Sequence, residues 1–393
     1  VSKEFSQLKP GYRLLLGPGP VEVSPRVLRA MSANLLGHLD RQFLEIMNET
    51  TELLREVFQT KNKITFPISG TGSAGMETVM VNLIEPGDNV IVCINGVFGQ
   101  RMRDIAERCG AQVYTVEAPF GKPIDPEDVK QAAKEAGKIK LISVVHAETS
   151  TGVLQPLPEM SEIAKKYDAL FVVDAVTSLG GIDLRIDEWG IDACYSGTQK
   201  ALSCPPGLSP VTLSSKAMET IAKRKTKVRS WYLDLSMIQA YWGEERLYHH
   251  TAPINMIYGL REALQIVLEE GLEERFNRHK QNSEAFIRGI EAMGLSMVPP
   301  EGYRLPTLNA VRIPEGVEDM GVRNHLLNKY GIEVGGGLGD LKGKVWRVGF
   351  MGEASRRNNV LLLLVALADS MEQQGYKVNV GDSIQAALDV YNS

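Results

Sequence analysis

Between Lys63 and Val173 the chain places five short apolar runs with helical stretches among them, and few folds accept that rhythm. The runs are Lys63–Ile68, Val90–Ile94, Val113–Val116, Leu141–Val145 and Leu170–Val173. They are continuous rather than alternating, so each reads as a strand buried on both faces. Helical patterns at Met76–Ile84, Gln100–Cys109 and Met160–Tyr167 lie among them, and Glu85-Pro86-Gly87-Asp88 is turn chemistry. Strands joined through helices make right-handed crossovers, so the expected core is an α/β unit around a mostly parallel sheet.

The texture changes later. Ile254–Glu270 and Leu272–Met293 read as long helices with Gly271 between them. Leu308–Arg312 and Val345–Val348 then read as strands, and Asn358–Gln373 as a closing helix. At about 150 residues per domain, a chain of this length holds two or three. The division expected is an N-terminal segment over 1–20, a large domain over 21–270 and a small α+β domain over 271–393.

Composition excludes several classes. Of the 393 residues, 44% are hydrophobic and 23% charged, which is ordinary for a globular protein. A net charge of −5 with no basic block argues against sequence-independent nucleic-acid binding. The longest apolar run, Val360–Ala368, falls short of the roughly 20 residues of a spanning helix, and Val1–Phe5 has no apolar leader core. Cys93, Cys109, Cys194 and Cys204 show no CxxC spacing, so neither a zinc ribbon nor a redox dithiol is expected. The expectation is a cytoplasmic enzyme without metal, membrane or nucleic-acid partner.

Gly70-Thr71-Gly72-Ser73-Ala74-Gly75 fits the GxGxxG dinucleotide fingerprint. That reading needs an acidic residue closing the next strand. Val90–Ile94 ends in Asn95-Gly96, and Glu85 and Asp88 stand at its other end. What survives is a glycine-rich turn opening a helix, with free N–H groups and a dipole suited to an anion, or an ordinary turn capped by Thr or Ser.

Asp174 ends the run Leu170–Val173, at the strand terminus where open α/β sheets bind ligands. Lys200 follows in Tyr195-Ser196-Gly197-Thr198-Gln199-Lys200, before the stiff Cys204-Pro205-Pro206-Gly207. An anion cup, a strand-end carboxylate and a loop lysine, in that order, are what a pyridoxal-phosphate site requires. The lysine makes a Schiff base, and the carboxylate keeps the pyridinium nitrogen protonated so that the ring accepts electrons.

At this level of detail the chain resembles the class V, fold-type I aminotransferases of the alanine–glyoxylate/serine–pyruvate group. The resemblance runs nearly end to end through Leu16-Gly17-Pro18-Gly19-Pro20, Ser69-Gly70-Thr71-Gly72, Gly99-Gln100-Arg101, Ser150–Leu157, Ser178-Leu179-Gly180-Gly181, Ser196–Ala201, Tyr248-His249-His250-Thr251 and Gly336-Gly337-Leu338-Gly339. It implies that Lys200 carries the cofactor and then shuttles a proton. Asp174 is implied to pair with the ring nitrogen, Val176 to pack under the ring, and Thr71, Gly72 and Gln199 to hold the phosphate. Ser73 stands where relatives have His, and Phe98 where many have a stacking Trp. Thr149 is implied to bond near the ring hydroxyl, and Tyr248 and Thr251 to reach over from a second subunit of a homodimer. Arg347, which in isolation reads as an edge-strand residue, becomes the clamp for the substrate α-carboxylate. Gly19 and its neighbours wall the substrate, and His249 and His250 are expected at the subunit contact.

The activity implied is ping-pong transamination from alanine or serine to glyoxylate or another small 2-oxo acid. The alternatives are a ureidoglycine–glyoxylate or 3-hydroxykynurenine type, or a non-catalytic relic, although a relic usually loses the lysine or aspartate. A cysteine desulfurase needs a nucleophilic Cys in the C-terminal part, and none follows Cys204.

Overall fold

The computed structural model describes residues 7–393. Seven strands form the central sheet: β1 (Ile64–Ser69), β2 (Asn89–Ile94), β3 (Gln112–Glu117), β4 (Leu141–Val145), β5 (Leu170–Asp174), β6 (Ala193–Tyr195) and β7 (Leu208–Leu213). Their order is β1-β7-β6-β5-β4-β2-β3. Every pair from β6 to β3 is parallel, whereas β7 runs antiparallel to both β6 and β1. Residues Leu141–Val145 and Leu170–Asp174 are buried throughout, as continuous apolar runs between two helical layers require.

The strand β7 is absent from the sequence reading because Pro210 interrupts its apolar pattern. Proline is admitted to a sheet where no donor is needed. Pro210 stands opposite Pro67 of the edge strand β1. The antiparallel partner also disposes of the dinucleotide reading, since the glycine turn follows an edge strand bonded to β7 alone.

Three of the helices that pack against this sheet come early in the chain. The first, α1 (Arg41–Phe58), starts at Asp40, whose side chain accepts from Gln42 N. It buries Phe43, Met47, Leu54 and Phe58 at helical spacing. The next, α2 (Gly72–Leu83), begins four residues before the expected Met76, and α3 (Val97–Arg108) begins three before Gln100. Both start at the carboxyl edge of the sheet.

The helices α4 (Ile254–Glu270) and α5 (Leu272–Ala292) follow on either side of Gly271. Beyond them, β8 (Leu308–Arg312), β9 (Gly335–Gly336) and β10 (Val345–Gly349) form an antiparallel sheet of order β8-β10-β9. The helix α6 (Arg357–Glu372) does not close the chain, contrary to expectation. After a turn at Gly375 (φ +82°), Asn379 caps a further helix, α7 (Val380–Asn392), which lies along α5. Its spaced Ile384, Ala387 and Tyr391 are the signal that marks it.

Two large cores result, one around the central sheet and one beneath the smaller sheet. Leu14 and Leu16 belong to the second, and Leu14–Leu15 pairs in parallel with Ile332–Glu333. Among the described residues no helix is long and apolar enough to cross a membrane, and no cluster of His, Cys, Asp and Glu is arranged to hold a metal.

Candidate active site

The carboxyl ends of β2, β4, β5 and β6 open toward one region, joined there by the turn between β1 and α2. Thr71 is the N-cap of α2, yet its side chain makes no capping bond, which leaves its hydroxyl and the first-turn N–H groups for a ligand. Thr71 and Ser73 are exposed, whereas Gly72 is buried. A Cβ on Gly72 would lie 3.2 Å from Val176 and 3.6 Å from Gly197 Cα. A Cβ on Gly197 would meet Gln199 Oε1 at 2.9 Å. Gly72, Val176, Gly197 and Gln199 therefore share one concave wall, and larger residues would fill it.

Asp174 ends β5 and is buried. Its Oδ1 accepts from Val176 N at 2.8 Å. Its Oδ2 is buried with no hydrogen-bond partner among the described residues, and so is Gln199 Oε1. Burial pushes the Asp174 carboxyl up to about 6 against the pull of the Val176 N–H and of the neighbouring Tyr195 hydroxyl. An unpartnered buried carboxylate oxygen is costly by itself and is suited to a cationic N–H.

Lys200 is also buried, and its Nζ donates to the Pro18 carbonyl. Burial first, and then the Arg347 guanidinium, bring its amine down to about 8, with Asp174 and Glu148 opposing. The loop beneath it is tied by Thr198 Oγ1 to the Pro205 carbonyl at 2.7 Å and by Ser203 N to the Lys200 carbonyl at 2.9 Å. Gly19, at φ +101°, lies so close that a Cβ there would stand 2.7 Å from Lys200 Cδ. Only glycine takes that backbone conformation cheaply and clears the lysine.

Arg347 is central in β10 and 7% exposed, so it is not the solvent-facing edge residue its strand suggested in isolation. Its Nε donates to the Gly336 carbonyl at 2.7 Å and its Nη1 reaches the Thr149 carbonyl at 3.4 Å. Burial lowers it to about 10, with Glu148 opposing, so it stays cationic at neutral pH. Thr149 Oγ1 lies 2.9 Å from Thr177 Oγ1. Phe98 is half-buried on the first turn of α3, with Arg101 4.8 Å from its ring centroid.

Tyr248 and Thr251 are exposed and joined by their hydroxyls at 3.3 Å, and the Tyr248 ring centroid lies 5.0 Å from that of His38. The two histidines between them are built into the subunit. His249 Nε2 lies 3.2 Å from the Trp231 carbonyl, the two Nδ1 atoms 2.7 Å apart, and His250 Nε2 2.8 Å from Ser69 Oγ. The Trp231 carbonyl can only accept, so His249 Nε2 donates to it, and of the two facing Nδ1 atoms one donates to the other. Burial, and then His249, keep His250 down at about 4. The ladder thus steadies Ser69, next to the glycine turn.

Sequence reading did not find Glu148. It is fully buried two residues beyond His146, and burial lifts it to about 7 against hydrogen bonds from Ser150. Its only signal in sequence was its place just past the end of β4.

The cradle at Gly72, the orphaned Asp174 oxygen and the buried Lys200 fit the phosphate, ring nitrogen and aldehyde carbon of pyridoxal phosphate. Fold and site together define a pyridoxal-phosphate-dependent enzyme of fold type I. The model of the family described as aminotransferase class-V matches residues 22–341. The (S)-ureidoglycine–glyoxylate transaminase of Bacillus subtilis is 44% identical over 97% of this chain and 96% of its own. The crystal structure of that organism's ureidoglycine–glyoxylate aminotransferase superposes with a TM-score of 0.96 over 99% of this chain and 100% of that one, at 45% identity. The alanine–glyoxylate aminotransferase of Drosophila melanogaster is 42% identical over 92% of each chain. A Nostoc sp. structure titled alanine–glyoxylate aminotransferase gives 0.92, with 47% identity over 94% of this chain and 98% of its own. The chain belongs to the class V aminotransferases.

Proposed function

We propose that this aminotransferase takes the amino group of alanine or serine and delivers it to glyoxylate or another small 2-oxo acid, in two half-reactions at one site. The observation that carries the reading is the buried, cationic Arg347 beside the Thr149 carbonyl, a planar fork suited to the α-carboxylate of an amino or 2-oxo acid. When bound, the cofactor supplies an electron sink for the substrate α-carbon. Asp174 holds a proton at the ring nitrogen. Gly72, Thr71 and Gln199 hold the phosphate, with Ser73 beside them, while Val176 and Phe98 confine the ring between them. Thr149 orients the ring hydroxyl. Lys200 first holds the cofactor and afterwards moves the proton between the substrate α-carbon and the cofactor C4′. Pro18 and Gly19 close the remaining side against water. Tyr248 and Thr251 serve the site of a second subunit, which makes the working unit a homodimer.

A second donor, (S)-ureidoglycine, is favoured by the full-length likeness to the Bacillus subtilis transaminase. Visible absorbance separates the readings when the loaded protein is mixed with L-alanine, L-serine or (S)-ureidoglycine in turn. The expected result is loss of the yellow band with alanine or serine and its return on adding glyoxylate. Bleaching by ureidoglycine alone would transfer the assignment to the second donor. A protein that takes up no cofactor would sink both.

A further inference from the structure

Glu148 stands where no charged residue is cheap. It is fully buried, and the cost of a carboxylate there must be met by donors. Its Oε1 accepts from Ser150 N at 3.0 Å and from Ser150 Oγ at 2.5 Å. Its Oε2 accepts from Phe98 N at 3.3 Å. Ser150 Oγ in turn accepts from Val97 N at 3.0 Å. The N-cap of α3 is Gly96, which has no side chain to offer, so the first two N–H groups of the helix are satisfied across the site by Glu148 and Ser150. The carboxylate also lies at the positive end of that helix dipole.

The fit is close on both sides. A Cβ on Gly96 would stand 2.3 Å from Glu148 Cδ and 2.5 Å from Ser150 Oγ. Glycine is needed here for space alone, since φ is 179°. On its other side the Glu148 turn continues directly into Thr149, whose carbonyl receives Arg347 and whose hydroxyl meets Thr177.

We infer that Glu148 is a positioning residue: it fixes the first turn of α3, and with it the ring of Phe98, to the turn that carries Thr149 and meets Arg347. One carboxylate then registers the cofactor's ring wall against the substrate's carboxylate clamp. This rests on the proposed roles of Phe98, Thr149 and Arg347. Ordinary capping needs no fully buried carboxyl group and no link to the clamp, whereas here both are present.

Glu148→Ala and Glu148→Gln test it in the cofactor-loaded protein. The glutamine keeps one acceptor oxygen and turns a donor toward either Phe98 N or Ser150, so it restores part of the geometry. The readouts are the visible circular dichroism of the bound cofactor, its rate of loss on dialysis, and KM and kcat separately. For Glu148→Ala the expected result is a weakened dichroic band, cofactor loss faster by about tenfold, and a fall in kcat together with a rise in KM. Glu148→Gln is expected between that variant and the wild type on every readout. A lower melting temperature with unchanged dichroism and retention would make Glu148 a helix cap only and overturn the inference. Should Glu148→Ala fail to fold, Glu148→Gln with wild-type dichroism and retention overturns it equally. A wild-type protein with no visible band at all would instead strike the functional reading beneath it.

Discussion

At the scale of single residues, the site is governed by burial acting on four charges. Lys200, Asp174, Glu148 and Arg347 are each moved toward their neutral forms mainly because water has been removed from them. For Lys200 this has a kinetic consequence. Only the unprotonated amine attacks an aldehyde, and an amine brought down to about 8 reaches that form well below the usual pH for lysine. Cofactor capture by the cofactor-free protein is expected to accelerate with pH through a midpoint near 8, followed by the rise of the visible band after mixing. In Arg347→Ala the midpoint should move upward, because the guanidinium is the second cause of the depression. A wild-type midpoint near that of a free lysine would mean that the amine is solvated. Lys200 and Asp174 were legible in sequence because a strand end and a stiff loop hold them. Glu148 was not, since a glutamate between Ala147 and Thr149 reads as solvated until its donors, distant in sequence, are assembled around it.

At the scale of elements, α2 owes its position to what it lacks. Gly75 faces β6 and β7, and a Cβ there would stand 1.9 Å from Ser209 Oγ and 3.2 Å from Tyr195 Cβ. Ser209 Oγ donates to the Ser196 carbonyl at 2.5 Å, just before Gly197. Gly75→Ala is therefore expected to cost about 1–3 kcal/mol by overpacking, read as a lower melting temperature, and to loosen cofactor retention by displacing the Ser196–Gln199 turn. Gly75→Ala combined with Ser209→Gly should recover much of the loss. No recovery would mean that the strain lies elsewhere in α2. The same elements show the limits of pattern reading. β2, β4 and β5 announce themselves because burial on both faces makes them almost wholly apolar, with only Asn89, Ser143 and Asp174 polar among them. The antiparallel β7 and the final α7 carry Pro210 or mixed polarity, and their assignment waits on neighbours that local sequence does not reveal.

At the scale of the whole molecule, Tyr248 and Thr251 are exposed, and the role proposed for them is in the site of a second subunit. If each site is completed across a homodimer, inactivating variants at the two halves of the site must complement one another. Lys200→Ala mixed, after unfolding and refolding together, with the double substitution Tyr248→Ala and Thr251→Ala is expected to regain transaminase activity that neither has alone. In the mixed dimer one site then holds Lys200 from one chain and Tyr248 and Thr251 from the other. Absence of recovery in a mixture shown to form mixed dimers would confine the site to one chain.

The parallel pairing of Leu14–Leu15 with Ile332–Glu333 reaches further than its two residues suggest. It joins residues more than 300 positions apart, and contacts so distant in sequence are slow to form. Pro18 and Gly19 hang directly from that pairing and supply the wall against Lys200. During synthesis the lysine and its strand-end aspartate can emerge and fold while this wall still has nothing to anchor it. On that side the reactive amine is thus covered only once Ile332–Glu333 have been made, so a polypeptide ending before them leaves Lys200 uncovered there.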